Sequence, residues 1–398
     1  MSVTAARGFR AAGVCAGLKA SGKPDLALVV NDGPLDTAAG VFTANRVVAA
    51  PVVWSRRLLA GQEGGRPGHA RAVVLNSGSA NACTGEQGLC DTEATAARAA
   101  GLLRTEPGQV LVCSTGVIGE RIDMPVLLEG IDVAALALAD TPRAGTDAAT
   151  AIMTTDTVSK EDVLTVGAGE KGWTIGGMIK GVGMLAPGLA TMLAVITTDA
   201  VLTPREAQDA LASVTARTVN RINSDGCMST NDTVLLLASG ASGATPSRAE
   251  FDEALTDVMG RLGRRLVADA EGATHDIAIT VSGAVSEAAA EAAARTVSSS
   301  NLLKCAVAGA DPNWGRVLSQ LGTVPEDVCP FNPDEVDVTI NGVTIFRHGA
   351  PDQDRDSVDM SPRETRIDIA LSAGQAEATV WTNDLTHGYV TINADYTT

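Results

Sequence analysis

Lys180-Gly181-Val182-Gly183-Met184-Leu185-Ala186-Pro187-Gly188-Leu189-Ala190-Thr191 runs straight into the apolar stretch Met192-Leu193-Ala194-Val195-Ile196. The glycines and Pro187 punctuate the chain as a turn. The run behind them has the length and residue types of a buried strand. Trp173–Met178, just upstream, reads as another strand leading into the turn. The unit is therefore strand, turn, strand, with a threonine at the point of entry. Threonine alone is a poor nucleophile. A cut before Thr191 would place a free α-amine on the same residue, a built-in base with a pKa of about 7.7–8.0. That arrangement is the mark of a self-processing N-terminal-nucleophile enzyme.

Outward from this stretch, the chain has 398 residues, enough for two lobes or one large α/β body. Hydrophobic residues make up 45% and aromatics only 3%, so the core must be built from Val, Ile, Leu and Ala. A net charge of −17 has the wrong sign for nucleic acid or an anionic membrane. The seven cysteines are scattered, odd in number and lack a C-x-x-C pair, which fits a reduced, cytoplasmic setting and gives no zinc pattern. The four histidines form no H-x-x-x-H spacing, which argues against metal catalysis. Ala11 to Leu18 is apolar but interrupted by Gly13 and Gly17, and reads as part of the fold and not as a signal peptide. No apolar run approaches the length of about 18 residues that a membrane span needs.

Short strands are expected at Leu26–Val30, Val73–Leu75 and Val110–Cys113, with a helix over Thr92 to Leu103 between the last two. Thr203-Pro204-Arg205-Glu206 and Ser247-Arg248-Ala249-Glu250 are capping boxes that open helices. Ala207, Leu211, Val214 and Ile222 are expected near one face of the first helix, and Phe251, Leu255, Val258, Leu262 and Leu266 on one face of the second. Thr233–Ala238 is an apolar strand. Ile277, Ile279 and Val281 alternate as a half-buried one, and Ser286 opens an alanine-rich helix. Asn341-Gly342 between alternating apolar residues predicts a hairpin with a type I′ turn. Ile367–Leu371 and Ala376–Trp381 are two further strands, and Pro351 to Pro362 is an exposed loop. Alternating strands and helices together with hairpins predict a layered α/β fold with sheets packed between helices.

Four segments offer chemistry, each with a plain structural alternative. Ser114-Thr115-Gly116 ends a strand, where free N–H groups either stabilise an oxyanion or simply start a turn. Asn76-Ser77-Gly78-Ser79-Ala80-Asn81-Ala82 either lines a polar pocket or bends the chain. Glu271, behind a long helix, either holds a substrate ammonium or is a solvated residue at a helix end. Asp311-Pro312-Asn313-Trp314-Gly315-Arg316 either offers Arg316 to a carboxylate or is a rigid brace. No G-x-S-x-G elbow is present to serve a histidine triad, whereas an amine base needs no histidine.

Taken in order, these motifs resemble the ornithine acetyltransferases (glutamate N-acetyltransferases) of arginine biosynthesis. The likeness spans nearly the whole chain. It includes Gly8-Phe9, Val41-Phe42-Thr43, Asn76 to Ala82, Cys113 to Gly119, Ile152-Met153-Thr154-Thr155-Asp156, Lys180 to Thr191, Ser229-Thr230-Asn231-Asp232-Thr233, Asp269-Ala270-Glu271-Gly272, Asp311 to Arg316 and Tyr389 to Thr398. The resemblance implies an αββα-type sandwich of mixed or antiparallel sheets between helices, akin to the N-terminal-nucleophile hydrolases but of distinct topology. It implies Thr191 as nucleophile, cleavage between Ala190 and Thr191, and an α chain of residues 1–190 with a β chain of residues 191–398. Thr115 and Gly116 match the oxyanion-hole pair. Thr154, Lys180, Thr191, Glu271, Asn393 and Thr398 match the substrate contacts. The implied reaction is ping-pong transfer of acetyl from N-acetylornithine to glutamate in a cytoplasmic α2β2 heterotetramer, with no cofactor or metal and with acetyl-CoA open as a second donor. A self-cleaving amide hydrolase or aminopeptidase is the alternative, differing in what resolves the acyl-enzyme. Two positions depart from the family pattern. Gly188 stands where relatives carry Asn, Ser or Asp, which puts processing efficiency in question. His275 stands where lysine is usual, so the charge near Glu271 differs.

Overall fold

A computed structural model describes residues 2–169, 172–185 and 192–395. The first part of the chain runs β1 (Phe9–Val14), β2 (Leu26–Asn31), β3 (Thr37–Phe42), α1 (Ala50–Leu59), β4 (Ala72–Ser79), α2 (Gly85–Leu103) and β5 (Val110–Val117). Next come α3 (Met124–Leu136), α4 (Pro142–Ala151), β6 (Lys160–Val166), β7 (Trp173–Lys180), β8 (Leu193–Thr198), α5 (Pro204–Arg217), β9 (Thr233–Ala238) and α6 (Arg248–Ala268). The remainder is β10 (Asp276–Ala284), α7 (Glu287–Ser298), α8 (Asn301–Ala308), α9 (Trp314–Leu321), β11 (Asp337–Ile340), β12 (Val343–Arg347), β13 (Ala350–Pro351), β14 (Glu364–Ala370), β15 (Ala376–Asn383) and α10 (His387–Asp395).

Two sheets face one another. One is four-stranded, in the order β1-β2-β4-β5; the other is five-stranded, β3-β9-β8-β7-β6. The period-two rule for strands explains how one strand serves two cores. Leu193 and Val195 of β8, with Leu235 and Leu237 of β9, pack toward the four-stranded sheet. Their neighbours Ala194, Ile196, Val234 and Leu236 pack the other way, onto α5 and α6. α1 to α4 pack against the strands of the four-stranded sheet. The layers are helix, sheet, sheet, helix, as the resemblance implies. Both sheets are mixed: β4 and β5 are parallel, as are β8 and β9, while the other pairs are antiparallel.

The capping boxes at Thr203 and Ser247 form as read, each with reciprocal side-chain and backbone bonds. Ile222 is not on the first helix. The helix ends at Arg217, and a short 3-10 turn over Val219–Arg221 carries the chain on before Ile222 joins the same core. The helix expected from Thr92 begins earlier, at Gly85, and a Cβ on Gly88 in its first turn would lie 2.0 Å from Thr84 Oγ1, so glycine lets that turn close against the loop.

The third sheet, β13-β12-β11-β14-β10-β15, has its own core against α7, α8 and α9. Its β11–β12 turn has φ +47° at Asn341 and +83° at Gly342, the signature of the expected type I′ hairpin. The covalent division expected between 190 and 191 does not coincide with this division of cores. It lies outside the described residues, between β7 and β8, which are hydrogen-bonded neighbours in one sheet. Pro351 to Pro362 is largely exposed, with Val358 and Met360 tucked into the third core.

Candidate active site

β4 and β5 lie side by side with Asn76 opposite Ser114, Ser77 opposite Thr115 and Gly78 opposite Gly116. Two segments far apart in sequence thus become one polar strand end. The Ser114 hydroxyl donates to Asn76 Oδ1 at 2.6 Å, and Asn76 Nδ2 donates to the Ser79 carbonyl at 3.0 Å. Asn231, from the segment leading into β9, donates to the Ala80 and Ser114 carbonyls at 2.6 and 2.9 Å, tying the two sheets together. Gly116 has φ +130°, and a Cβ there would lie 2.3 Å from the Gly78 carbonyl carbon. Only glycine fits, so the backbone next to buried Thr115 is set by shape as well as by hydrogen bonds.

Lys180 ends β7 beneath this strand end and is 2% exposed. Its ammonium donates to Thr154 Oγ1 at 2.8 Å and Thr115 Oγ1 at 3.3 Å, and stands 4.0 Å from Asp156. Burial pushes its pKa down, against the pull of Asp156. Asp156 in turn accepts the Gly181 and Thr154 N–H groups at 2.8 and 3.0 Å and the Lys160 ammonium at 2.7 Å. Burial alone would raise the Asp156 pKa, but Lys180 and Lys160 outweigh it and hold the carboxyl at about 2. Lys160 also binds Asp269 at 2.5 Å. Each buried charge therefore has a counter-charge, the condition for keeping it ionised. Nearby, Lys19 donates to the Pro24 and Met153 carbonyls, and burial lowers its pKa to about 8.

Across from Lys180 sits Glu271. Its Oε1 accepts the Thr155 hydroxyl and its Oε2 the Asn393 amide, both at 3.0 Å. Its own N–H donates to the Val182 carbonyl at 3.1 Å. A Cβ on Gly183 would meet the Glu271 carboxylate at 2.9 Å, so the strand end and the carboxylate are packed to contact. Thr115, Gly116, Thr154, Lys180, Glu271 and Asn393 line one cavity of about 170 Å³. A cation with two hydroxyls faces a carboxylate across a space the size of a small amino acid. That arrangement can hold both charged ends of a zwitterion beside a group of oxyanion donors. A larger hollow of about 460 Å³, lined by Arg10, Asp32 and Arg71, contains none of the sequence candidates.

The structure thus brings together Thr115, Gly116, Thr154, Lys180, Glu271 and Asn393. Gly188, Ala190, Thr191 and Thr398 lie outside the described residues; Leu185 and Met192, which flank the first three, are both buried. Arg316 reaches no carboxylate among the described residues. It donates to the Leu302 carbonyl at 2.5 Å while Asn313 caps α9, so this loop is the brace. His275 pairs with Asp384 at 2.9 Å, and so faces away from a free role. Sequence reading missed Asp156, Lys160, Thr155 and Asp232. The first and third stand within the Ile152–Asp156 motif and Asp232 within Ser229–Thr233, so position was legible but burial and pairing were not. Among the described residues no group of three or more His, Cys, Asp or Glu could hold a metal ion, and all seven cysteines are free. No described helix is long and apolar enough to cross a membrane.

The model of the ArgJ family matches residues 10–398. The arginine biosynthesis bifunctional protein ArgJ of Bifidobacterium longum is 58% identical over 398 residues, covering 100% of both chains. That of Streptomyces coelicolor is 55% identical over 396 residues, again 100% of both. A crystal structure of ornithine acetyltransferase complexed with ornithine, from Mycobacterium tuberculosis, aligns at 50% identity and a TM-score of 0.44, covering 48% of this chain and 96% of that one. With a family match over nearly its whole length and full-length relatives above half identity, this chain belongs to the ArgJ family.

Proposed function

We propose that this chain is an acyltransferase of arginine biosynthesis that moves acetyl from N-acetylornithine to glutamate. The observation that carries the reading is the single cavity between Lys180 and Glu271, roofed by Thr115 and Gly116. Cleavage between Ala190 and Thr191 frees the Thr191 amine. That amine takes the hydroxyl proton as Thr191 attacks the acetyl carbonyl, and it returns the proton to the departing ornithine amine. Thr115 and Gly116 hold the tetrahedral oxyanion in this half-reaction and in its reversal by glutamate. Thr154, Lys180, Glu271, Asn393 and Thr398 hold the amino-acid ends. Donor and acceptor are both α-amino acids of similar length, which is why one site serves both. The working unit is an α2β2 assembly of residues 1–190 and 191–398 in the cytoplasm, with no cofactor. Acetyl-CoA is a further donor to be assayed. The alternative, a hydrolase, predicts free acetate in place of N-acetylglutamate.

The test is a denaturing gel with N-terminal sequencing, run beside a transfer assay with each donor. A fragment beginning Thr-Met-Leu-Ala-Val and transfer from N-acetylornithine are expected from the natural chain. Thr191→Ala should stay whole and transfer nothing. Full activity in that variant overturns the assignment. Glu271→Gln should raise KM about tenfold with little change in cleavage, since it removes a charge that meets substrate and not the scissile bond. Equal loss of both would make Glu271 a folding residue.

A further inference from the structure

Lys304 has no role in the transfer just described, yet it is a buried cation at the edge of the site. It stands on α8 of the C-terminal unit and is 6% exposed. Its ammonium donates to the Ser224 carbonyl and forms no ion pair among the described residues. Lys160 and Lys180, similarly buried, both stand beside a carboxylate. A buried charge is ordinarily paired, because an unpaired one bears the cost of its lost hydration. Lys304 lines a hollow of about 60 Å³ that also touches Asp225, Asp384 and Tyr389 and shares Val182 and Glu271 with the substrate cavity. A hollow of that volume has room for more than one water, and hence for a carboxylate group.

The acids around this hollow are already engaged. Asp384 accepts the Thr274 N–H and faces His275 Nδ1, both at 2.9 Å. Asp225 accepts the Met184 and Cys227 N–H groups at 2.7 and 3.1 Å, and burial raises its pKa toward the neutral form. Glu271 holds the Thr155 hydroxyl and the Asn393 amide. Burial lowers the Lys304 pKa in spite of Asp225 and Asp384, so those two groups leave its charge under-compensated. An anion entering the hollow would supply what is missing.

The two half-reactions bring opposite charges to this end of the site. Acetyl leaves one α-nitrogen and joins another, so donor and acceptor present the same α-carbon groups to the same place. Lys180 suits the α-carboxylate that both carry. The two side chains then point the same way, toward Glu271. The side chain of ornithine ends in an ammonium, which Glu271 attracts. That of glutamate ends in a carboxylate, which Glu271 repels. One carboxylate alone cannot serve both. We propose that Lys304 is the residue that admits the acceptor: it draws the side-chain carboxylate of glutamate into the hollow adjoining Glu271, while Glu271 holds the side-chain ammonium of ornithine. The proposal rests on the transfer reading above.

Isotope exchange separates the half-reactions and tests this on the full protein as purified. Exchange between N-acetylornithine and labelled ornithine reads the donor side. Exchange between N-acetylglutamate and labelled glutamate reads the acceptor side. Lys304→Met, close to lysine in volume, should lower kcat/KM for glutamate about 30-fold, chiefly through KM, and that for ornithine by no more than about threefold. It should also narrow the preference for glutamate over glutamine, whose side chain has the same shape without the charge. Glu271→Gln should do the reverse and weaken ornithine more than glutamate. A merely structural role for Lys304 would weaken both exchanges alike and leave the glutamate-to-glutamine preference where it was. Glutamate exchange by Lys304→Met at the natural rate, or equal loss of both exchanges, overturns the proposal and leaves the transfer reading standing. A natural chain that exchanges neither pair overturns both.

Discussion

The C-terminal sheet and the site end of the five-stranded sheet bury their residues on opposite principles. In the C-terminal unit, Ile277, Ile279 and Val281 of β10 alternate inward and meet the alanines of α7. At the site end, Lys160, Lys180, Asp156 and Asp232 are all under 9% exposed. The first region is held by apolar area taken out of water, about 25 cal/mol per Å². The second gains little from burial itself, because the cost of desolvating charge offsets much of the attraction between the partners. A region of the second kind is better explained by the chemistry it positions than by stability.

The comparison breaks first at Lys160. Lys160→Met should leave Asp156 and Asp269 facing each other without their shared cation, and destabilise the chain by about 3–5 kcal/mol in denaturant unfolding. Adding Asp156→Asn to that variant should recover part of the loss. Recovery of nothing would mean that packing, not charge, is what Lys160 supplies. The matched change in the other region, Ile279→Ala, should cost about 2–4 kcal/mol with KM unchanged. A shift in KM there would show that the two regions are coupled.

Acid sharpens the contrast. The Asp156 pKa is depressed in the folded chain, so its stabilisation is complete above the unfolded value near 3.9 and is lost as pH falls toward about 2. On the order of 2 kcal/mol should disappear across that window, as measured by unfolding at a series of pH values. Asp156→Asn should flatten the dependence. The smallest effect is expected at the hairpin. Gly342→Ala, at φ +83°, should cost about 1 kcal/mol and leave transfer untouched.

The same contrast explains what the sequence could reveal. β10, the hairpin at Asn341-Gly342 and both capping boxes were legible because local rules govern them: period two, positive φ and reciprocal caps. β3 and α1 were not, since Thr37–Phe42 and Ala50–Leu59 carry weak patterns and owe their form to the sheets they pack on. The cavity was legible only through the ordered motifs. Composition gives no sign that Ser114 and Asn76 share a strand end, or that Asp156 and Lys160 pair inside the protein, because those are long-range consequences of register. Arg316 failed for the converse reason: the Leu302 carbonyl, fourteen residues earlier, satisfies it in place of a carboxylate.

β7 and β8 are antiparallel neighbours, with Lys180 opposite Leu193 and Ile175 opposite Thr198. A break anywhere in the link between them converts a ladder within one chain into a ladder between two. Under the proposed cleavage the chain would have to reach its native topology before it is severed. Denaturation of the severed form would then yield two separate molecules, whose reunion depends on their concentration and no longer on the closure of a short loop. The precursor should refold from denaturant in dilute solution, whereas the matured protein should survive through slow unfolding and, once lost, stay lost.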